Sequence, residues 1–405
     1  MPLTLNERRL SAVKPSATLE MSRKAKAMRA TGVDVKNLSA GEPDLPMPAC
    51  IADAADAAVR EGATRYTPSR GNAAVVDAIR HKYKRDQGID YAETEVMATV
   101  GTKGALSLAL DALVGEGDEV ILFSPFWVTY PDLIRLAGGT PVQIATTFEQ
   151  GYLPEIEQIR EKLTEQTKLI ILNTPGNPTG RGLPRAFLES LMKMLEGTDV
   201  WVISDEIYER LVYGEFKHIS PAQLSDDARS RTLIVGGVAK AYAMTGWRLG
   251  CAAGPSPLID AMIVLQQQRL SCPTASAQAA AAYALKEPPE VAAAADEMKT
   301  HFTQRRAIAL EELARIPDFR VYPPDGAFYL FVDVSAYLPG TYQNKPVQTD
   351  VDLCGLLLEE AHVATVPGTP FGTPGGFRMS YAASEDDIRE SISRIGAFMA
   401  AMRES

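Results

Sequence analysis

Residues 232–250 read TLIVGGVAKAYAMTGWRLG and are the most informative part of this chain. They open with an apolar run at 232–235, which leads into two glycines and then Lys240. A lysine at the end of a buried strand loses hydration, so its amine is more easily neutral and nucleophilic. Such an amine can form a Schiff base with an aldehyde, and a neighbouring arginine, here Arg248, can hold a phosphate. A surface lysine after a strand is the simpler interpretation, and the rest of the chain decides between the two.

Three further apolar runs alternate with helical patterns in the middle of the chain. They cover residues 119–123, 168–172 and 200–203, and each ends at polar or turn-forming residues. Continuous apolar runs with β-branched residues are typical of strands covered on both faces, so the pattern predicts a mostly parallel sheet with helices on either side. In such sheets ligands bind beyond the carboxyl ends of the strands. The polar residues at those ends are therefore the first candidates for a site.

The pattern changes after about residue 285. The predicted elements there are a long helix at about 289–315, a strand at 326–333, a helix at 350–362, strands at 363–366 and 377–381, and a final helix from about Glu385. The Ala-rich segment 275–296 is also predicted to be helical. We therefore predict an N-terminal arm (1–45) that packs with the small domain, a large domain (46–290), and a smaller α+β domain (291–405) that includes the long linking helix.

Composition narrows the classes of function. With 405 residues, 46% of them hydrophobic, the chain can bury a large core in more than one domain. A net charge of -10 argues against nucleic acid or an anionic membrane as the main partner. No apolar run approaches the roughly 20 residues of a membrane span. With four histidines, a His-built metal site is not expected, and without a G-x-G-x-x-G motif a nicotinamide dehydrogenase is disfavoured.

The four cysteines indicate a compartment. They show no CxxC or metal-like spacing, and the first residues contain no apolar signal core. Reduced thiols in the cytoplasm are therefore expected.

Several strand ends carry polar or small residues whose roles are open on local grounds. Asp205 follows the run at 200–203 and could simply be a helix N-cap. The segment NTPGNPTG at 173–180 is a dense turn signal and could be a surface loop. The segment VGTKGA at 100–105 opens an Ala/Leu helix, where free N–H groups and the positive end of the helix dipole suit a phosphate.

Together these segments resemble the motifs of fold-type I aminotransferases that depend on pyridoxal 5'-phosphate (PLP). They occur in the order of that family, from KPSAT at 14–18 to Arg378, and most resemble the bacterial branch of aspartate and aspartate/prephenate aminotransferases. The resemblance implies an α/β fold, with a mostly parallel, seven-stranded-type sheet flanked by helices in the large domain and a smaller α+β domain. It also implies a homodimer with shared active sites.

The resemblance assigns cofactor contacts. Lys240 is implied to hold PLP, Asp205 to pair with the pyridine nitrogen, and Asn177 and Tyr208 to bind the ring hydroxyl. The other implied contacts are backbone N–H groups at Gly101, Thr102 and Lys103, the guanidinium of Arg248, the stacked ring of Trp127, and Tyr66 from the neighbouring subunit. Two positions depart from the family: Ala239 and Gly237 stand where many members carry serines, so phosphate binding is expected to depend more on Arg248 and the Gly101 turn.

The resemblance also assigns substrate contacts. Arg378 is implied to bind the α-carboxylate as a two-bond fork, together with the backbone of Gly41. Residues matching Thr18 and Lys103 bind a distal carboxylate in the bacterial branch, although Lys103 could equally be a solvated charge. The remaining assigned positions are Asn177 and Trp127 as further substrate contacts, and Gln267, with Arg269 close by, where another branch has a distal-carboxylate arginine.

The implied activity is transfer of an amino group between an L-amino acid, aspartate or glutamate in type, and a 2-oxo acid such as 2-oxoglutarate, by a ping-pong mechanism. Aromatic amino acids or prephenate are alternative substrates. A PLP lyase, cyclase or oxidase would use the same residues. A PLP-sensing transcription regulator is disfavoured, because the segment before residue 40 is too short for a DNA-binding domain.

Overall fold

The computed structural model of the protein describes residues 6–404. The strands are β1 (Lys36–Asn37), β2 (Val96–Val100), β3 (Glu119–Ser124), β4 (Thr140–Ala145), β5 (Thr167–Asn173), β6 (Trp201–Asp205), β7 (Thr232–Gly237), β8 (Leu249–Ala253), β9 (Arg320–Val321), β10 (Tyr329–Asp333), β11 (Gly340–Tyr342), β12 (Lys345–Val347), β13 (Val363–Ala364), β14 (Val366–Pro367) and β15 (Gly376–Ser380).

The helices alternate with these strands. They are α1 (Glu7–Leu10), α2 (Ala17–Ala30), α3 (Ala49–Arg60), α4 (Ala73–Gln87), α5 (Gly101–Leu113), α6 (Tyr130–Ala137), α7 (Ile156–Lys162), α8 (Arg185–Leu195), α9 (Asp226–Arg231), α10 (Ser256–Arg269), α11 (Ala275–Lys286), α12 (Pro289–Leu313), α13 (Asp350–Glu359) and α14 (Glu385–Glu404). Short 3-10 turns lie at Glu93–Glu95, Pro221–Gln223, Thr245–Trp247, Ser335–Tyr337 and Thr369–Phe371. Within the described residues, no helix is both long and apolar enough to cross a membrane.

A seven-stranded sheet organises the middle of the chain. Its strand order is β2-β8-β7-β6-β5-β3-β4. All neighbours are parallel except β8, which runs antiparallel to β2 and β7. The predicted mostly parallel sheet is therefore confirmed, and the four apolar runs form β3, β5, β6 and β7. Their side chains are buried because helices cover both faces.

The register of this sheet brings the candidate residues to one edge. Asn173, at the end of β5, pairs with Asp205 at the end of β6. Asp205 in turn pairs with Val235, two residues before the end of β7, the strand that leads into the Lys240 loop. Because the carboxyl ends of parallel strands meet at the same edge, three motifs far apart in sequence become neighbours.

A second, antiparallel sheet has the order β14-β15-β10-β9. A separate parallel pair joins β1 to β13, with Lys36 opposite Val363. One hydrophobic core contains residues from α2, β10, α12, α13 and α14. The N-terminal segment thus packs with the last third of the chain. The domain boundaries at residues 45 and 290 remain a prediction.

Four predicted elements differ from those observed, either in the number of elements or by three residues at a boundary, and one of them is the helix predicted at 350–362, which ends at Glu359. The strand predicted at 326–333 begins only at Tyr329, because Ala327 has a φ of 60°, outside the β region. The helix predicted across 275–296 is interrupted at Glu287, whose φ is 53°, directly before two prolines. The strand predicted at 363–366 is two short strands, because β13 pairs with β1 and β14 with β15.

Candidate active site

A cavity of about 390 Å³ lies at the carboxyl ends of the parallel strands. This volume is in the range of small-molecule sites. The predicted residues that line it are Thr18, Gly41, Thr102, Lys103, Trp127, Asn177, Asp205, Tyr208, Lys240, Arg248 and Arg378.

Lys240 lies in the loop after β7. Its Nζ donates a hydrogen bond to the backbone oxygen of Gly41 at 2.5 Å. Burial lowers the pKa of Lys240 to about 8; Glu42 opposes this shift, and the positive charge of Arg378 adds to it. A neutral, nucleophilic amine is therefore accessible close to neutral pH.

Asp205 is buried at the end of β6. Its Oδ2 accepts a hydrogen bond from the hydroxyl of Tyr130 at 2.8 Å, and its Oδ1 accepts from the backbone N–H of Ile207 at 3.3 Å. Burial raises the pKa of Asp205 to about 6, although the hydrogen bond from Tyr130 works in the opposite direction. A cation placed against this carboxylate would favour its ionised form.

Two asparagines and a tyrosine pair define the neighbouring wall. The Asn173 side chain donates to the backbone oxygen of Asp205 at 3.0 Å and accepts from the backbone N–H of Asn177 at 2.8 Å. The backbone of Asn177 is thereby fixed to Asn173, whose side chain also contacts the strand end at Asp205. The hydroxyls of Tyr208 and Tyr329 lie 2.9 Å apart and share a hydrogen bond. Hydroxyl and amide groups thus converge on one side of the cavity.

The amino end of α5 forms the other end of the cavity. The helix begins at Gly101, so the first N–H groups, including those of Thr102 and Lys103, have no partner within the helix. The Thr102 hydroxyl donates to the backbone oxygen of Gly236 at 2.8 Å and fixes the helix end against β7. Arg248 is exposed beside this end. Free N–H groups and a guanidinium at a helix start are well suited to a phosphate.

Two glycines at this end, Gly101 and Gly237, have little space for a side chain. A Cβ on Gly101, whose φ is +70°, would lie 2.5 Å from Nη2 of Arg248. A Cβ on Gly237 would lie 2.8 Å from the Cα of Gly250. A serine at Gly237 therefore does not fit this backbone, which gives a physical reason for that departure from the family pattern.

Arg378, in the middle of β15, is fully buried. Its guanidinium donates to the Asn177 side chain at 3.0 Å and to the backbone oxygen of Ser39 at 2.7 Å. It stacks 4.5 Å from the ring centroid of Tyr329. Within residues 6–404, no carboxylate pairs with it, and its Nε has no hydrogen-bond partner. A buried cation without an anion is costly unless an anionic ligand completes the site.

Trp127 and Lys103 lie together on the cavity wall. The Nζ of Lys103 is 5.0 Å from the Trp127 ring centroid. Partial desolvation and the charge of Arg248 lower the pKa of Lys103, although the residue keeps an exposed surface. The Trp127 ring contacts Tyr130 edge-on at 5.3 Å, which orients it at the cavity.

Four predicted or flagged positions lie outside the lining. Gly101 lies behind the guanidinium of Arg248. Tyr66 is 90% exposed and contributes nothing to the cavity of its own chain. Gln267 and Arg269 are exposed on α10, and Arg269 forms an ion pair with Asp111.

Sequence reasoning missed Tyr130, Asn173 and Tyr329. Tyr130 had a detectable signal, because it follows Trp127 by three positions at the start of a helix. Asn173 is the first residue of the turn segment 173–180 and also the last residue of a strand, and the sequence analysis gave it no role. Tyr329 had no local signal, since its place beside Tyr208 depends on two segments far apart in sequence.

Comparison with known proteins identifies the family of the chain. Residues 33–395 match the family model described as Aminotransferase class I and II. The chain is 43% identical to an aspartate aminotransferase of Geobacillus stearothermophilus, over 97% of this chain and 98% of the relative. It is 41% identical to an aspartate/prephenate aminotransferase of Cereibacter sphaeroides, over 97% and 98% of the two chains. The structure of the aspartate aminotransferase from Thermus thermophilus with maleate matches with a TM-score of 0.92 at 38% identity, covering 98% of this chain and 100% of that one.

The fold and the lysine-centred site therefore define a fold-type I enzyme that depends on PLP. Within that class, the chain belongs to the class I and II aminotransferase family and is a PLP-dependent aminotransferase.

Proposed function

We propose that this aminotransferase uses aspartate or glutamate as amino donor and 2-oxoglutarate as an acceptor, in a ping-pong reaction. The observation that carries the proposal is that the cavity has two cationic residues in addition to Lys240 and Arg248, which are assigned to the cofactor. These are Arg378, which is buried without an anion among the described residues, and Lys103, which lies beside Trp127. Two cations suit a substrate with two carboxylates. The names of the relatives, aspartate and aspartate/prephenate aminotransferases, support the same substrate class.

The residues present fit PLP. Lys240 would hold its aldehyde carbon, and Asp205 would accept a hydrogen bond from its ring nitrogen. Asn177 and Tyr208 would bind the ring hydroxyl, and Trp127 would cover the ring face. The phosphate would be bound by the N–H groups that follow Gly101, at Thr102 and Lys103, and by Arg248. The crowded glycines and the free helix end support this orientation.

The chain's own groups would act as follows. When bound, PLP supplies an electron-accepting ring for the pair left at the substrate Cα. Arg378 binds the α-carboxylate and, with the backbone of Gly41, orients the Cα–H bond. With PLP bound, the neutral amine of Lys240 would take the proton from the substrate Cα as general base and would release it again as general acid. Asp205 holds the ring nitrogen in its protonated form.

We also propose that Thr18 and Lys103 bind the distal carboxylate of the donor. Thr18 belongs to α2, which covers the cavity, and both residues line it. We further propose a homodimer in which Tyr66 reaches the partner's phosphate site, because its ring is almost fully exposed in the single chain. The four cysteines are unpaired, which supports a cytoplasmic enzyme.

Absorbance spectroscopy of the purified enzyme, without acceptor, tests the donor. We expect aspartate or glutamate to bleach the visible band of the bound cofactor and 2-oxoglutarate to restore it, whereas alanine and phenylalanine act much more slowly. A band that aromatic amino acids bleach as fast as aspartate would contradict the dicarboxylic assignment. Release of ammonia or pyruvate without an acceptor would favour a lyase instead.

A further inference from the structure

A buried ion pair lies directly behind the carboxylate of Asp205. The Oε2 atom of Glu206 is 2.9 Å from Nε2 of His218, and the two side chains are 1% and 8% exposed. The N–H of Glu206 donates to the backbone oxygen of Val235, so it continues the ladder of β6. Because successive side chains on a strand point to opposite faces, Glu206 lies on the side of the sheet away from the cavity.

The other contacts of Glu206 come from neutral groups. Ser204 Oγ donates to its Oε1 at 2.8 Å, and Gln87 Nε2 donates to its Oε2 at 2.6 Å. The neighbouring cation, Lys82, pairs instead with Glu209 at 2.6 Å. Among the described residues, His218 is therefore the only contact of Glu206 that can carry a positive charge. The Nδ1 atom of His218 has no hydrogen-bond partner in the same part of the chain.

The charge of Glu206 matters for the site because the residue adjoins Asp205. A negative charge at Glu206 raises the pKa of Asp205, in addition to the larger effect of burial. Burial would lower the pKa of His218, but the charges of Glu206 and Glu209 outweigh it and raise that pKa. The ionisable groups that face His218 also include Lys82, which opposes the rise.

We propose that His218 is a positioning residue: it neutralises Glu206 and so keeps Asp205 ionised against the cofactor ring. The proposal depends on the role of Asp205 given under the proposed function. His218 touches neither cofactor nor substrate in this scheme and acts only through the two adjacent carboxylates. Without it, two buried negative charges on consecutive residues would compete, and one of them would take up a proton.

The charge of His218 can be measured directly on the native full-length chain without cofactor or substrate. The chain has four histidines, so ¹⁵N-histidine labelling gives few signals, and the signal missing from His218→Gln identifies the residue. We expect the His218 ring to carry both protons at pH 7.5, well above the ordinary histidine pKa of about 6.5. A singly protonated ring at that pH would overturn the proposal, whatever the substrate of the enzyme is.

If the charges of Glu206 and His218 cancel, a single variant and a double variant should differ in their affinity for PLP. Removing only the positive partner, in H218Q, should weaken PLP binding by the apoenzyme about tenfold at pH 5, where a rise of about one unit in the pKa of Asp205 from about 6 lowers its ionised fraction about tenfold, and should change binding little at pH 8. Removing both charges, in E206Q/H218Q, should bring the affinity back to within about threefold of the native value. A purely structural role predicts the opposite, since the double variant then loses more contacts and binds no better than H218Q.

Two controls complete the experiment. His301→Gln changes a histidine that is 44% exposed on α12 and should leave PLP binding unchanged. Titration of the Asp205→Asn apoenzyme with PLP shows whether Asp205 contributes to PLP binding at all. This variant therefore distinguishes a failure of the role proposed for Asp205 from a failure of the proposal for His218. If H218Q does not fold, variants of the other three histidines, His81, His301 and His362, identify the His218 signal by elimination, and the NMR measurement on the native chain still decides.

Discussion

At the residue scale, the site contains an acid and a base whose pKa values are both displaced towards neutrality. The pKa of Lys240 is lowered to about 8 and that of Asp205 is raised to about 6, chiefly by burial in each case. The charged form of each group would be more stable in solvent than in the protein interior. The fold nevertheless keeps both side chains in the cavity where a ligand is expected. Such opposed shifts in one cavity are typical of functional sites rather than of structural ion pairs.

Asp205→Asn should therefore stabilise the apoenzyme while it removes activity. The folded pKa of Asp205 lies above its ordinary value of 3.8, so its contribution to folding is most favourable below about pH 4 and is lost as the pH rises through about 6. At pH 8 the free energy of unfolding of the variant should be up to about 3 kcal/mol higher than that of the native apoenzyme.

Urea unfolding of both apoproteins at pH 8 and pH 5 checks this result, with the difference expected to shrink at the lower pH. The same variant should lose roughly 10²- to 10³-fold in kcat, as is usual for one preorganised electrostatic group. Equal stability of the two proteins at pH 8 would show that Asp205 is not desolvated in solution as it is in this structure.

Lys103→Ala tests distal-carboxylate recognition. A lost charge-assisted hydrogen bond should raise the KM for aspartate about tenfold to a hundredfold and leave the KM for alanine or phenylalanine nearly unchanged. Steady-state kinetics with the three donors measure the ratio. Lys26→Ala, on the exposed face of α2, is the control for an unspecific loss of positive charge. An equal rise for all donors would mean that Lys103 binds the cofactor end of the site only.

At the element scale, the start of α5 depends on Gly101, and the sequence by itself does not distinguish the role of this glycine from that of Gly104. Gly101 has a φ of +70° and no room for a Cβ beside Arg248, whereas Gly104 lies one turn later with nothing nearer than 3.8 Å to its Cβ position. Two glycines in one helix thus have different physical roles.

Gly101→Ala should weaken PLP binding by the apoenzyme more than tenfold, because the backbone or Arg248 must move from the phosphate position. Gly104→Ala is the matched variant and should bind PLP normally, with a gain in helix stability of up to about 1 kcal/mol. Fluorescence titration with PLP and thermal unfolding measure the two effects. Similar affinities for both variants would contradict a phosphate position at this helix end.

Element boundaries were predictable where the pattern is local. The apolar runs that became β3, β5, β6 and β7 are long enough for a buried strand and end at turn residues. The wrong boundaries lie where the backbone departs from the pattern, as at Ala327 and Glu287, which both have positive φ values. The two prolines after Glu287 are a local signal for the break, whereas no local signal marks Ala327. The backbone N–H of Ala327 donates to the backbone oxygen of Leu211, so its conformation depends on a segment far away in the chain.

At the scale of the whole molecule, the exposed apolar residues suggest an association surface. Tyr66 is 90% exposed, and Val264 and Leu270, on and just after α10, are 56% and 46% exposed. Exposed large apolar groups are often covered by a partner. The proposed homodimer would cover them and complete the phosphate site with Tyr66.

Subunit mixing tests the shared site. Lys240→Ala and Tyr66→Ala are each expected to lower activity when alone. If Tyr66 acts across the interface, each hybrid dimer has one intact site, and random reassortment should restore about a quarter of native activity. Activity after mixing is measured against the two parent variants, with sedimentation velocity to verify that dimers exchange. No gain after verified exchange would mean that Tyr66 acts within its own chain or not at all.

The sequence alone determined the parallel sheet and the set of residues at the strand ends, because both follow from apolar runs and turn residues within short segments. Only the tertiary structure decided how these residues act on one another. The bond from Tyr130 to Asp205, the pairing of Glu206 with His218 and the close approach of Gly250 to Gly101 join residues far apart in the chain. The displaced pKa values of Lys240 and Asp205 depend on burial, which exists only once the chain has folded around them.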